Sequence, residues 1–156
     1  MQALTADPIA LPPAHPLLLV PLLLTPGSHV RCDLPAIRDR LRAAGHPVMA
    51  IPFLGSWAAW LDHLADLAGA TGSGSLVHHP LRPGVADRYL GALSRRLELE
   101  PVSADSQDAL RMRPLPLALA PNRMTAQLQA EGLDAPALLE RPATQDLLFQ
   151  LLLSLP

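Results

Sequence analysis

The chain contains no lysine: all twelve of its cationic side chains are arginine. A charged fraction of 17% and a net charge of -2 leave no basic face, so a nucleic-acid partner is not expected. Cysteine is nearly absent too. The lone Cys32 excludes an internal disulfide and fits a reducing, cytoplasmic setting, with the thiol expected as a small buried residue. Aromatic residues make up only 3%, so the core must be built from aliphatic side chains, with Trp57 and Trp60 expected inside it. Long apolar runs are missing. Leu17 to Leu24 is short, is interrupted by Pro21 and has no basic segment before it. Leu147 to Leu155 is no longer than a globular helix. Neither reads as a signal peptide or a membrane span; both read as buried core. Also absent are a His-Glu-x-x-His pair, paired cysteines, a Gly-x-Ser-x-Gly elbow, a phosphate-binding loop and a Gly-x-Gly-x-x-Gly turn.

What is present is an alternation of short apolar runs with amphipathic stretches. Leu17 to Leu24 reads as a fully buried strand, broken by Pro26-Gly27-Ser28. Asp33 is placed to cap a helix with Pro35 in its first turn, and Gly45 ends it. Val48 to Phe53 reads as a strand, and Ser56 as the cap of a helix carrying Trp57, Trp60, Leu61, Leu64 and Leu67 on one face. Residues 69–75 are rich in glycine and serine and read as a flexible linker. Beyond them come a strand at Leu76–His78, a helix from Pro83 to Leu97, strands at Leu97–Val102 and Leu115–Ala120, a helix from Asn122 to Glu131 and a last helix near Thr144. The expected fold is α/β, with a mostly parallel sheet flanked by helices. Its parts are a half domain over 1–68, the linker, and a second half over 76–156.

The halves share an internal repeat. Pro21-Leu-Leu-Leu-Thr-Pro-Gly27 matches Pro116-Leu-Ala-Leu-Ala-Pro-Asn122 at an offset of 95 residues, and each copy leads into a helix. In the second copy Met124 stands at the position of His29, and Leu128 at that of Asp33.

Of six histidines, His29, His78 and His79 follow strands, where ligands of parallel α/β sheets bind. Neutral imidazole suits divalent ions of the cobalt–zinc range, so His29 and His79 are candidate metal ligands at one rim. His46 and His63 read as exposed or packed residues. Arg31, Arg82 and Arg123 lie in loops after strands, where a guanidinium fork can hold carboxylates.

The segment Leu19-Val-Pro-Leu-Leu-Leu-Thr-Pro-Gly-Ser-His29-Val-Arg31-Cys-Asp33-Leu-Pro35 resembles the signature of the sirohydrochlorin cobaltochelatase family. That family typically shows Val-Pro-Leu-Phe-Leu, a glycine shortly before His-Val, and Asp-Ile-Pro opening a helix. Ile51-Pro-Phe-Leu-Gly55 is similar to its next strand and turn, and Val77-His-His79-Pro-Leu-Arg82 loosely resembles its Gly-His-Gly-Ser-Arg motif without either glycine. The resemblance implies a chelatase-like fold and insertion of Co2+, or of Ni2+ or Fe2+, into an anionic tetrapyrrole. His29 and His79 would then hold the metal and take up pyrrole protons, while Arg31 and Arg82 pair with the substrate's carboxylates. Against the family pattern, the chain reads as an unusual one-and-a-half-domain member or as a piece of a longer two-domain protein, with a homodimer or association with a complete chelatase subunit as the expected assembly. The alternative function is a metal- or tetrapyrrole-binding domain without turnover.

Overall fold

The computed structural model describes residues 14–81, 84–110 and 112–156. The α/β expectation is borne out: five short strands, each pair parallel, alternate with five helices. β1 (Leu17–Leu19) pairs with β2 (Val48–Ala50), with α1 (Leu34–Ala43) between them in sequence. A 3-10 turn at Leu54–Ser56 then leads into α2 (Ala58–Thr71). The second sheet has the order β4-β3-β5, from β3 (Ser75–His78), β4 (Glu100–Ser103) and β5 (Pro114–Pro116). α3 (Val85–Leu97) joins β3 to β4, and α4 (Arg123–Ala130) follows β5. A 3-10 turn at Leu138–Glu140 leads into α5 (Pro142–Leu153).

Several elements differ from their sequence-based expectation. The run Leu17–Leu24 is a strand only to Leu19 and is half-buried rather than fully buried there. Its continuation bends at Leu24-Thr25, and its carbonyls accept from the second strand region: Leu54 N–H donates to Pro21 O and Gly55 N–H to Leu23 O, both at 2.9 Å. Ser56 does not cap α2; its hydroxyl donates to Phe53 O at 2.7 Å, and Trp57 stands at the cap instead. The glycine-rich stretch is shorter than its composition suggests. α2 runs on to Thr71, whose hydroxyl donates back to Leu67 O at 2.8 Å, and stops where Gly72 turns left-handed at φ 60°. Ser75 already belongs to β3.

One core spans both halves. Leu24, Leu54, Trp60 and Leu64 from the first half cluster with Leu76, Leu93, Leu115 and Leu138 from the second. Burying each such side chain removes it from water at a gain of roughly 1.5–3 kcal/mol. A smaller cluster, Val77, Val102, Ala118, Met124, Leu128 and Ala135, lies under α4. A tyrosine also joins the halves. The Tyr89 hydroxyl lies 2.6 Å from Leu24 O and 2.9 Å from Gly55 O, and burial pushes its pKa up to about 12. Residue 55 must be glycine: a Cβ there would stand 2.0 Å from Leu24 O.

The repeat reappears in the backbone. Bends fall at Leu24-Thr25 and at Leu119-Ala120, 95 residues apart. Gly55 N–H donates to Leu23 O and Leu138 N–H to Ala118 O, so the two acceptors are again 95 residues apart while the donors, on the neighbouring segments, are 83 apart. Both segments are therefore the same kinds of element, a strand end and a turn into a helix. Among the described residues, no helix is long and apolar enough to cross a membrane.

Candidate functional site

His29 opens a π-helical turn, His29–Asp33, that runs directly into α1. Asp33 makes no cap bond. Its carboxylate instead accepts from His29 Nδ1 at 2.6 Å. The four-residue spacing places both side chains on one face of the turn, as i,i+4 pairs require. Because the carboxylate can only accept, Nδ1 carries a proton, and in the neutral ring Nε2 is the bare nitrogen. The pair is open to water, with 65% and 57% of the two side chains exposed. This corrects the reading of Asp33 as a helix cap: it orients an imidazole. Cys32, expected to be buried, is exposed on the same turn. Arg31 is exposed there as well.

His79 sits elsewhere. It follows β3 directly and is exposed, and the Asn122 side-chain amide donates to its Nε2 at a long 3.4 Å. Asn122 caps α4, its Oδ1 accepting from Thr125 N–H at 3.2 Å, which turns its NH2 toward the histidine. Among the described residues, no hydrogen bond or ion pair joins His29 to His79. Nor do any three His, Cys, Asp or Glu side chains gather as a metal-binding group. Arg82 lies outside the described residues. Arg123 is exposed in the first turn of α4.

His78 is the histidine that sequence reasoning passed over. It is only 7% exposed, and its Nδ1 donates to His79 O at 2.8 Å, leaving Nε2 as an acceptor. It lines an open recess with Leu81, Asp87 and Leu90. The signal for it was its place as the last residue of a buried strand. His63 packs between α2 and α5, its Nε2 2.8 Å from Thr144 Oγ1. Burial lowers its pKa below the usual histidine value, against the opposing pull of Asp66.

The repeat sharpens the contrast between the two helix starts. Met124 and Leu128, the counterparts of His29 and Asp33, are each 3% exposed and pack against Val77 and Val102. The first copy thus carries a polar, hydrated pair where the second carries an apolar, buried one. Comparison with known proteins returned no matching family model, no matching curated protein and no matching solved structure.

Proposed function

We propose that the chain takes up a divalent metal ion on His29 and delivers it to an anionic tetrapyrrole of the sirohydrochlorin type, Co2+ being the first choice and Ni2+ or Fe2+ the alternatives. The observation that carries this reading is the Asp33–His29 pair. A carboxylate that fixes one ring nitrogen aims the other outward and raises its basicity, the arrangement that metal-binding imidazoles share. Exposure suits the task, since an ion bound for a flat macrocycle must be held loosely and within reach of the ring. Arg31, on the same turn, supplies a guanidinium fork for a substrate carboxylate. His79 enters as second imidazole once its Nε2 leaves the Asn122 amide, and Arg82 completes the set.

A second reading has its own support. A domain that binds the metal or the tetrapyrrole without turnover, alone or beside a complete subunit, accounts for the apolar Met124 and Leu128 in the second copy.

Titrating the full chain with Co2+ tests the first step. His29→Ala should abolish most binding, Asp33→Asn should weaken it about 10–100-fold, and His46→Ala should leave it unchanged. Undiminished binding by His29→Ala would sink both readings. Adding sirohydrochlorin then separates them: a visible-band shift of the metallated ring supports insertion, and binding without that shift supports the holding domain.

A further inference from the structure

We infer that the free edge of β1 is a docking site for a parallel β-strand from a partner polypeptide, of the kind that β3 forms within this chain. The inference rests on the repeat and stands whether or not His29 binds a metal.

In the second half the central strand has neighbours on both sides. β5 pairs with β3 in the register Ser75↔Pro114, Leu76↔Leu115, Val77↔Pro116, and Leu117 N–H donates to Val77 O at 2.7 Å. Residues 113, 115 and 117 therefore turn their backbones toward β3. Pro114 and Pro116, which have no N–H, face the other way, where a proline costs no ladder bond. On the far side Ala118 O accepts from Leu138 N–H.

The offset of 95 maps residues 113, 115 and 117 onto Leu18, Val20 and Leu22. The phase is the same in the first half. Leu17 N–H donates to Pro47 O and Leu19 O accepts from Ile51 N–H, so odd-numbered residues face β2, Pro21 among them, its carbonyl accepting from Leu54 N–H on that side. The even-numbered residues face outward, and among the described residues their backbones make no hydrogen bond. Their side chains match: Leu115 and Leu117 are 1% and 6% exposed, whereas Leu22 is 40% exposed. The cover over the helix start is missing as well. Met124 and Leu128 are roofed by Val77 of β3 and Val102 of β4, while His29 and Asp33 face water. Among the described residues, nothing takes in the first copy the place that β3 and β4 fill in the second.

Two features choose the occupant. The register and phase fit a parallel strand. A second copy of this chain has no β3 to lend, because its own is bonded on both edges. By the His79–Asn122 contact, the carboxyl end of the guest strand falls beside Gly27, two residues from His29.

The test uses the full chain and a synthetic peptide of its own β3 sequence, Gly-Ser-Leu-Val-His-His-Pro, with amide hydrogen exchange followed by NMR. The amides of Leu18, Val20 and Leu22 should exchange freely in the monomeric protein and become protected as the peptide is added. N-methylation at the peptide's valine, whose backbone faces the host, should weaken binding about tenfold or more, the loss of one ladder bond left unmade. N-methylation at its leucine should not. Protection of the three amides before any peptide is added overturns the inference, and sedimentation then assigns the edge to self-association or to residues 1–13. No protection at saturating peptide, or equal binding of both methylated peptides, overturns it too.

Discussion

Leu117 and Leu22 hold the same place in two copies of one strand and turn, yet one is 6% exposed and the other 40%. Similar local sequence has been given different surroundings. In the second half, β3 on one side and the Leu138 N–H on the other satisfy the backbone of β5 and its continuation, and apolar helix residues close over the sheet. In the first half, β1 has one neighbour, and no residue of α1 is fully buried. The parallel sheets of α/β proteins are normally covered on both faces. The lesson is that burial belongs to the neighbourhood: Val-Pro-Leu-Leu-Leu and its counterpart Leu-Pro-Leu-Ala-Leu each encode a strand end, but the run becomes core only where a β3 stands beside it.

The largest expected effect breaks that comparison directly. Leu117→Ala should cost about 2–5 kcal/mol in denaturant unfolding, the usual result of emptying a packed site. Leu22→Ala should stay within about 0.5 kcal/mol, as exposed positions do. Equal costs would mean that the β1 edge is covered in solution. Next comes the tyrosine that joins the halves. Tyr89→Phe leaves Leu24 O and Gly55 O without their donor and should cost about 1–3 kcal/mol. Because the folded chain holds this phenolic proton up to about pH 12, against an ordinary tyrosine value of about 10, its contribution is intact below pH 10 and is lost as pH rises toward 12. Tyr89→Phe should flatten that alkaline slope. The smallest effect lies between α2 and α5. His63 is harder to protonate in the folded chain than in the unfolded one, so stability should fall as pH drops through 6.5 and level off below the folded value. His63→Gln should remove this acid slope, and an unchanged slope would assign it to other groups.

The order of strands and helices was legible in the sequence, because periodicity and punctuation are local signals. Strand length was not. Leu17–Leu24 reads as one run, but the number of ladder bonds depends on what lies alongside, and only β2 does. The reach of α2 into the glycine-rich stretch was hidden for another reason: the back-bonding of Thr71 carries the helix past two residues, Gly69 and Ala70, whose composition suggests a loop. At the candidate site, the motif singled out His29, but not its partner. Asp33 reads as a cap because Asp before Leu-Pro usually is one, and a π-helical turn ahead of α1 leaves no recognised mark in the sequence. Cys32 was expected to be buried on composition; it is exposed because nothing roofs its turn. His78 was passed over in favour of its neighbour, since burial at a strand end is set by the packing of α3 and not by the chain itself.

The bond between His63 and Thr144 joins residues 81 positions apart, and the Tyr89 hydroxyl reaches back 65 positions to Leu24. During synthesis, α2 is therefore complete long before its partner helix leaves the ribosome. Its Trp60, Leu64 and Ala68 face has only Leu24 and Leu54 of the first half to close on until α3, and then α5, arrive. Closing such loops is slow relative to forming helices. Until they close, part of an apolar helix face stays open to other chains, the condition under which nascent chains aggregate.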